Sequence, residues 1–344
     1  MVRPAVRDRI RRIERAIVHY GDTTLFFSDQ LRLHGTAYAS AVAMEEATLL
    51  DFNRRRNGPR LVALYPSDGT VSSDNPLVVM RAPWVSRAQA AAGAAFVRWL
   101  RQEVTPAVAA RAGFRSGDPA VRPRAPVTRA NGADPAQPAR VLAPPAPAVL
   151  DRIRRAWRAD RKPANIMLVV DTSGSMGQED KLPQAQRGLR AFLRELSPSD
   201  RVGLIRFGTE VLQVAPLAPF GQARARLERD VGGLVASGET ALYDAVGRAV
   251  DRLRRLDDET RINAVVVLSD GGDTTSTTDS NDLIGRLKAR SESEGLSVRV
   301  FTIAYGASAN RTVLQEIADA SGGRAAAPEP REVQQVYRAI ASFF

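Results

Sequence analysis

Ile166-Met-Leu-Val-Val-Asp-Thr-Ser-Gly-Ser175 is the stretch that decides the fold, because five consecutive apolar residues end there at an aspartate and a turn with two serines. A short apolar run that becomes β-branched and is followed by turn residues predicts a strand buried on both faces of a parallel sheet. At the carboxyl end of this strand the chain delivers Asp171, Ser173 and Ser175 together. Open α/β sheets bind their ligands at that edge.

The side chains at this edge are hard oxygen donors, which are the ligands that Mg²⁺ and Ca²⁺ accept. Two more donors lie in matching contexts further along the chain. The apolar run Ala264-Val-Val-Val-Leu268 predicts a second buried strand that ends at Ser269 and Asp270. Between the two strands, Thr240 lies in a loop directly before an apolar-periodic stretch and hence at a predicted helix start. The candidate ligands of one divalent cation are therefore Asp171, Ser173, Ser175, Thr240 and Asp270.

The same five residues resemble the metal-ion-dependent adhesion site of von Willebrand factor type A domains. They follow its pattern of Asp-x-Ser-x-Ser, a threonine and an aspartate, in the Asp-x-Ser-Gly-Ser-Met form of bacterial members. The resemblance covers about residues 149–344. It implies a Rossmann-like, doubly wound α/β fold whose mostly parallel sheet has one antiparallel edge strand. It also implies a bound Mg²⁺, or Ca²⁺ or Mn²⁺, and a protein ligand that offers an Asp or Glu carboxylate.

An ion held by these residues keeps an open coordination position. The protein supplies at most two negative charges and at most five of the six ligands of an octahedral ion, with the two aspartates binding directly or through water. A carboxylate from a partner completes the octahedron and forms a charge-assisted bond to the metal. This arrangement favours metal-bridged protein recognition over chemistry at the ion.

Length and composition predict a two-domain protein with ordinary cores. The 344 residues are 44% hydrophobic and 25% charged, and they include no cysteine, which excludes disulfides and thiolate zinc sites. No apolar run reaches the ~18 residues of a membrane-spanning helix, and the N-terminus lacks the apolar segment of a signal peptide. The family resemblance implies an extracellular or cell-envelope location, whereas the lack of an export signal keeps a cytoplasmic location open.

The net charge of +11 falls on the first half of the chain. Residues 1–162 contain 27 Lys and Arg against 14 Asp and Glu, and residues 163–344 contain 22 against 24. Nearly all of the excess is arginine on predicted helices and in a Pro-rich segment. No aromatic residues alternate with it, as they do in proteins that bind single-stranded nucleic acid. We therefore expect solvated helix faces and no nucleic-acid partner.

Residues 1–117 form a separate α/β pattern. It predicts helices over about residues 1–18, 39–54 and 87–111, strands over 61–65 and 77–80, and a polar turn over 69–74. The order is similar to the carboxyl-terminal lobe of a bacterial extracellular solute-binding protein, with Gly69-Thr-Val-Ser-Ser-Asp-Asn-Pro76 and Gly113-Phe-Arg115 as the matching segments. A complete protein of that family closes two lobes on a small-molecule ligand, and here the chain is too short for the first lobe. The resemblance therefore implies either a truncated start or a segment that has become a scaffold. A solute-binding or sensing component of the cell envelope is therefore the alternative function.

Prolines recur without periodicity over residues 118–148, a pattern that predicts a semi-extended linker. The linker leads to a third segment, residues 149–344. In that segment, strands over 202–207 and 211–214 lie too close together for a crossover helix, which predicts an antiparallel hairpin. The other predicted elements are a strand over 298–304 and helices over 149–158, 182–196, 223–234, 241–255, 312–320 and 332–344.

Two alternatives to ligation stay open for these polar side chains. The strand-end oxygens can instead cap the helices that follow them, with Thr240 as an N-cap. Three further aspartates, Asp273, Asp279 and Asp282, follow Asp270. They form either a second cation site or part of a solvated loop in which Asp282 caps a helix.

A metal-dependent hydrolase is the third functional alternative, and the sequence disfavours it. Ser173-Gly-Ser175-Met-Gly177 lacks the first glycine of the Gly-x-Ser-x-Gly nucleophile elbow. Both histidines, His19 and His34, lie in the first segment, so that no histidine follows the candidate nucleophile to act as its base. Walker-type and Gly-x-Gly-x-x-Gly phosphate motifs are absent as well. We therefore expect a protein without enzymatic activity.

Overall fold

The computed structural model describes residues 3–21, 23–56, 58–73, 75–116, 120–291, 298–306, 309–329 and 332–344. The chain divides into two compact units. The larger unit comprises Met1–Asp22 and Asp151–Phe344, and the smaller unit comprises Thr23–Leu150.

The helices in chain order are α1 (Pro4–Ala16), α2 (Thr24–His34), α3 (Glu46–Arg55), α4 (Arg87–Glu103), α5 (Pro106–Arg111), α6 (Pro147–Asp160), α7 (Lys181–Glu195), α8 (Phe220–Gly232), α9 (Leu242–Arg254), α10 (Ser280–Ser291), α11 (Arg311–Ala320) and α12 (Val333–Ala341). The strands are β1 (Thr70–Val71), β2 (Val141–Leu142), β3 (Ala164–Asp171), β4 (Arg201–Phe207), β5 (Val211–Pro219), β6 (Ile262–Ser269), β7 (Arg299–Ala304) and β8 (Ala325–Ala326). Short 3₁₀ turns lie at Gly35–Ala37, Arg129–Asn131 and Gly174–Gly177.

A six-stranded sheet in the order β5-β4-β3-β6-β7-β8 forms the centre of the larger unit. Its neighbouring strands pair in parallel, except that β4 and β5 form an antiparallel hairpin at one edge. The connection between these two strands is Gly208-Thr-Glu210, which is too short for a crossover helix. The predicted doubly wound α/β fold with one antiparallel edge strand is therefore confirmed.

Helices cover both faces of this sheet. Every residue of β3, β6 and β7 is buried, as continuous apolar runs predict for two-sided burial. Because side chains alternate between faces, Met167 and Val300 pack with α9, α10 and α11 on one side. On the other side, Phe301 packs against the rings of Phe343 and Phe344, with centroid distances of 4.8 and 5.4 Å. This two-sided packing fixes the strands so that their carboxyl ends meet at one edge.

Residues 3–21, which we call the N-terminal strap, belong to the larger unit, although the sequence analysis placed them in the first segment. Asp160 at the end of α6 accepts hydrogen bonds from Arg7 at 2.6 Å and from Arg11 at 2.9 Å. Its side chain is almost fully buried, so that the two arginines of α1 neutralise a carboxylate that water does not reach.

The smaller unit has a core of its own. Leu49 and Leu50 of α3 pack with Val127 and Ala133. The last two residues come from the Pro-rich segment 118–148, so that part of the predicted linker packs against a helix. The short strands β1 and β2 pair in parallel, and β1 lies within the predicted polar turn, whose Asp74 is outside the described residues.

The domain boundaries 1–117, 118–148 and 149–344 stay predictions. The junction at residues 117 and 118 lies outside the described part of the chain.

Two strands predicted in the first segment are wrong. In residues 61–65, the Leu61 N–H donates to Asn53 Oδ1 at 2.9 Å, and the Ala63 N–H donates to the Gly132 carbonyl at 2.8 Å. The backbone therefore bonds to a side chain and a loop instead of a neighbouring strand. Residues 77–80 also form no strand, and their apolar side chains are mostly exposed.

Two predicted helices of this segment have different bounds. The helix predicted over 87–111 divides into α4 and α5 because Pro106 has no backbone N–H to continue the first one. Thr105 caps the second part by accepting the Val108 N–H at 3.3 Å. The helix predicted over 39–54 begins only at Glu46. None of the helices that the structure describes combines the length and apolar character needed to cross a bilayer.

Candidate metal centre

The candidate site lies where β3 and β6 end side by side. These strands are parallel neighbours, with Val170 opposite Leu268. β3 therefore delivers Asp171, and β6 delivers Ser269 followed by Asp270, to the same edge of the sheet. Both aspartates expose 0% of their surface. Two carboxylates in one place without water need hydrogen-bond donors or cations as partners.

A chain of hydroxyl groups joins the turn after β3 to Asp270. Ser173 Oγ lies 3.0 Å from Ser175 Oγ, and Ser175 Oγ donates to Asp270 Oδ1 at 2.7 Å. The two serines are separated by one residue at the 3₁₀ turn Gly174–Gly177. This tight turn lets both hydroxyls meet the carboxylate from the neighbouring strand.

Asp171 is oriented by two hydrogen bonds. Its Oδ1 accepts the Ser173 N–H at 2.8 Å, and its Oδ2 accepts the Ser269 O–H at 2.6 Å. Burial raises the pKa of Asp171, these hydrogen bonds act to lower it, and the charge of Asp270 adds to the rise. The net rise in pKa means that the ionised carboxylate lacks compensating positive charge, which a bound cation would supply.

Thr240 lies in the loop between α8 and α9, and the backbone ties this loop to the turn after β3. The Gly174 N–H donates to the Gly238 carbonyl at 2.9 Å. Gly238 has a φ of 80°, in the left-handed region that glycine adopts without strain. Thr240 is buried, and its backbone N–H donates to Thr274 Oγ1 at 2.9 Å. The other four candidates are linked through their side chains, whereas Thr240 joins the group through its loop.

The capping alternative is wrong for the helices that follow these residues. α7 begins at Lys181 with Asp180 at the N-cap position, and α9 begins at Leu242 with Ala241 at that position. Neither described helix start has a side-chain cap. The strand-end oxygens and Thr240 are thus not used as caps of α7 and α9.

The acidic residues after Asp270 accept hydrogen bonds from backbone groups around their loop. Asp273 Oδ1 accepts the Tyr243 N–H at 3.2 Å, and Asp279 Oδ1 accepts the Asp282 N–H at 2.9 Å. The prediction of Asp282 as a helix cap is therefore wrong, since Asp279 caps α10 instead. Within the described ranges, no group of three or more His, Cys, Asp or Glu side chains is arranged to hold a metal ion. The alternative of a second, carboxylate-rich cation site finds no support.

Two residues of the site were not predicted from the sequence. Lys181 Nζ donates to Asp270 Oδ2 at 2.7 Å, and the lysine side chain is only 6% exposed. Ser269 orients Asp171, but in the sequence it is only the residue before Asp270. Lysine is rare in this chain, with three among 49 basic residues, and this rarity is the one sequence signal that singles out Lys181.

The donor set fits a hard divalent cation. Carboxylate and hydroxyl oxygens suit Mg²⁺, Ca²⁺ and Mn²⁺, and three of the five candidates are hydroxyls, which bind a cation without adding charge. Both aspartates are fully buried, and a buried carboxylate needs hydrogen-bond donors or a cation as partner. The residues that would hold the ion are Asp171, Ser173, Ser175, Thr240 and Asp270.

Comparisons with known proteins match the part of the chain that carries the sheet. The family model described as von Willebrand factor type A domain matches residues 165–338, which is just over half of the chain. Human inter-alpha-trypsin inhibitor heavy chain H4 is 30% identical over 172 residues, which cover 47% of this chain and 18% of that protein. An uncharacterised protein of Mycobacterium tuberculosis is 29% identical over 273 residues, which cover 75% of this chain and 39% of that protein. The chain thus spans less than half the length of these curated relatives.

A solved structure described as von Willebrand factor type A from Catenulispora acidiphila is 22% identical, with a TM-score of 0.46. The match covers 52% of this chain and 42% of that chain. The similarity of residues 1–117 to a solute-binding lobe stays a prediction.

Proposed function

The chain belongs to the von Willebrand factor type A domain family, and on this premise we propose that it is a divalent-metal-dependent protein-binding module without enzymatic activity. The strand-end donors would hold Mg²⁺, Ca²⁺ or Mn²⁺, with Mg²⁺ as the first choice. When bound, the ion supplies positive charge and an open coordination position for an Asp or Glu carboxylate of a partner protein.

The line of oxygens from buried Ser173 through half-buried Ser175 to buried Asp270 is the observation that carries this proposal. Its members lie 3.0 and 2.7 Å apart before any ligand arrives, so that little rearrangement is needed to gather them around an ion. Asp171 ends the neighbouring strand and is held by its own two hydrogen bonds. A site prepared in this way on the ends of rigid strands suits binding.

The charges of the site favour recognition of an acidic group. Asp171 and Asp270 supply two carboxylates, and the remaining candidate ligands are neutral hydroxyls. A divalent cation in this setting is not over-neutralised by the protein, and it keeps an attraction for a further anionic oxygen. The partner class that this chemistry selects is a protein with an exposed Asp or Glu side chain.

The state of both carboxylates supports the absence of enzymatic activity. Asp171 accepts two hydrogen bonds, and Asp270 accepts one from Ser175 and one from Lys181. Both carboxylates are also fully buried, whereas a general base must come within hydrogen-bond reach of the proton that it removes. Among the described residues, the hydroxyls of Ser173 and Ser175 hydrogen-bond to each other and to Asp270, and neither contacts a histidine base.

Three arginines of the first half are engaged within the protein, which is in keeping with a partner other than nucleic acid. Arg7 and Arg11 bind Asp160, and Arg115 binds Glu46 with both Nε and Nη2, at 2.6 and 2.8 Å. Arginines that are engaged within the protein are not available to contact phosphates. We place the proposed interaction outside the cell or at the cell envelope on the strength of the family resemblance.

Titration calorimetry with Mn²⁺ and Mg²⁺ tests the metal site. We expect one site in the wild-type protein and an affinity that is lower by about 100-fold or more in Asp171→Ala and Asp270→Ala, which each lose a charged ligand. Asp282→Ala is the matched control, because it removes an exposed aspartate in the first turn of α10. Binding that is unchanged in the two site variants would sink the proposal.

A probe carboxylate tests the open coordination position. Acetate added to the Mn²⁺-loaded protein should displace metal-bound water, which lowers the proton relaxation enhancement of the solvent. Excess chelator should abolish the effect. A loaded protein whose relaxation does not respond to acetate would contradict carboxylate capture even if Mn²⁺ binds.

A further inference from the structure

Lys181 places a positive charge inside the candidate metal centre. It is the first residue of α7, it is buried, and its Nζ donates to Asp270 Oδ2 at 2.7 Å. The other oxygen of the same carboxylate, Oδ1, accepts the Ser175 O–H at 2.7 Å. Asp270 therefore presents Oδ1 to the Ser175 hydroxyl and Oδ2 to the Lys181 ammonium.

The fold fixes the position of this lysine. The Tyr305 hydroxyl donates to the Lys181 carbonyl at 3.1 Å, and the Tyr305 N–H donates to the Ser269 carbonyl at 2.8 Å. Burial raises the pKa of Tyr305, so that its phenol stays a neutral donor at physiological pH. The start of α7 is thus tied to the end of β6, which also carries the carboxylate that Lys181 contacts.

A lysine suits this place better than the arginine that the chain uses almost everywhere else. The ammonium is a compact point charge on an unbranched stem, whereas a guanidinium is a planar fork that binds a carboxylate with two parallel hydrogen bonds. A fork of this kind would cover both oxygens of Asp270, including the one that Ser175 contacts. The ammonium of Lys181 contacts Oδ2 and leaves Oδ1 to accept the hydrogen bond from Ser175.

We propose that Lys181 is a built-in counter-charge of the metal centre, an inference that rests on the proposed function. Asp171, Asp270 and Lys181 leave the metal-free centre with one net negative charge. A divalent cation turns this into one net positive charge, which a single partner carboxylate neutralises. Without the lysine, the loaded centre is neutral and attracts a carboxylate less strongly.

The counter-charge acts in opposite directions on the two binding steps. The ammonium repels the incoming cation and shares the charge of Asp270 with it, which weakens metal binding. The same positive charge strengthens the capture of an acidic ligand by the loaded centre. In the metal-free protein, Lys181 offsets the repulsion between the two buried carboxylates and so stabilises the folded state.

Mn²⁺ titrations of Lys181→Met test the first effect, because methionine removes the charge and keeps an unbranched side chain. We expect the Mn²⁺ dissociation constant to fall about tenfold or more, since a unit charge within a few ångströms of the ion is lost. In chelator, the variant should unfold at a lower temperature than the wild type, and saturating Mn²⁺ should remove the difference. Lys288→Met, on the exposed side of α10, is the matched control and should leave the Mn²⁺ dissociation constant unchanged.

Lys181→Gln keeps the test valid where the methionine variant does not fold, because glutamine retains an N–H donor for Asp270 without the charge. In both variants, acetate should bind the Mn²⁺-loaded protein about tenfold more weakly than it binds the wild type. Solvent proton relaxation measures this second effect.

The outcomes separate this inference from the proposed function. Mn²⁺ binding that is equal or weaker in both Lys181 variants, or unchanged acetate affinity, overturns the role of Lys181 and leaves the metal site in place. Absence of Mn²⁺ binding in the wild type and in every variant overturns both.

Discussion

The role of Ser269 depends on a contact with a residue that is distant in the sequence. Its O–H donates to Asp171 Oδ2 at 2.6 Å across 98 positions of sequence, and it is completely buried. This hydrogen bond from Ser269 holds the Asp171 carboxylate in one orientation. A partner that orients a metal ligand in this way influences affinity without touching the ion.

We predict that Ser269→Ala lowers the Mn²⁺ affinity by about 10- to 100-fold, which is the range for loss of a residue that orients a metal ligand. The buried carboxylate also loses a donor, so that the free energy of unfolding should fall by about 1–3 kcal/mol. Titration calorimetry measures the affinity, and urea denaturation in chelator measures the stability.

Ser321→Ala is the matched control for this prediction. Ser321 is also buried, and its hydroxyl donates to the Ala318 carbonyl at 2.9 Å and accepts the Val300 N–H at 2.9 Å. Its loss should lower stability by a similar amount and leave Mn²⁺ affinity unchanged. Equal losses of Mn²⁺ affinity in both variants would mean that Ser269 acts only through general stability.

The candidate ligands could be predicted because each follows from its own local pattern, a buried strand that stops at a polar residue or a loop before a helix. The roles of Lys181 and Ser269 could not. Which atoms these two contact depends on the pairing of β3 with β6 and on where α7 begins, ten residues after Asp171. Both are three-dimensional facts that no short stretch of sequence contains.

At the scale of secondary-structure elements, the strands of the larger unit could be predicted from local sequence patterns, whereas those of the smaller unit could not. The strands β3, β6 and β7 of the larger unit are buried along their whole length, because helices with their own apolar periodicity cover both faces of the sheet there. Residues 61–65 and 77–80 carry a similar pattern but pair with no strand among the residues that the structure describes. Strand pairing is a non-local property, and a five-residue apolar run looks alike whether or not a partner exists.

Helices α7 and α12 approach each other closely at Gly188. A Cβ atom added to Gly188 would lie 2.7 Å from Tyr337 Cδ2 and 3.2 Å from Val333 Cγ1. One turn further along α7, Phe192 packs against the same tyrosine, with ring centroids 5.8 Å apart. The missing side chain at Gly188 is therefore what allows the aromatic ring to lie against the helix backbone.

We predict that Gly188→Ala lowers the free energy of unfolding by about 1–3 kcal/mol, because overpacking a fitted contact outweighs the gain in helix propensity. Gly285→Ala in α10 is the matched control. In the described part of the chain, no atom outside its own helix backbone and chain neighbours lies within 4 Å of a Cβ added there. There the alanine should raise stability by about 0.5–1 kcal/mol. Urea denaturation of both variants measures the difference, and a stabilised Gly188→Ala would show that α12 yields to the added methyl group.

At the scale of the whole molecule, the N-terminal strap forms hydrogen bonds at the end of the sheet opposite the candidate metal centre. Lys162 Nζ donates to the Ile17 carbonyl at 3.2 Å, and Arg299 Nη2 donates to the Val18 carbonyl at 2.7 Å. Lys162 lies two residues before β3 and Arg299 begins β7, so that these contacts lie at the amino ends of the strands. The candidate metal centre lies at their carboxyl ends. The family match begins at residue 165, and the strap is outside it.

Two buried cations depend on this strap. Lys162 and Arg299 are 9% and 3% exposed, and burial lowers the pKa of both groups. Within the described part of the chain, Nε and Nη1 of Arg299 are buried without a hydrogen-bond partner. The strap carbonyls therefore offset part of the cost of keeping these charges away from water.

Deleting residues 2–21 should separate stability from metal binding. We predict that the deletion lowers the free energy of unfolding of the larger unit by about 2–5 kcal/mol, because Lys162, Arg299 and Asp160 lose charged or carbonyl partners and only partly regain water. The Mn²⁺ affinity of the folded protein should stay within about twofold, since distant sites act additively. The double variant Arg7→Ala/Arg11→Ala is the control. It loses the ion pairs to Asp160 and the exposed Arg11–Asp8 pair but keeps the strap carbonyls, so its stability should fall less than that of the deletion. Urea denaturation and Mn²⁺ calorimetry give the two quantities. Unchanged stability would show that the buried cations need no strap, and weakened Mn²⁺ binding would show that the two ends of the sheet are coupled.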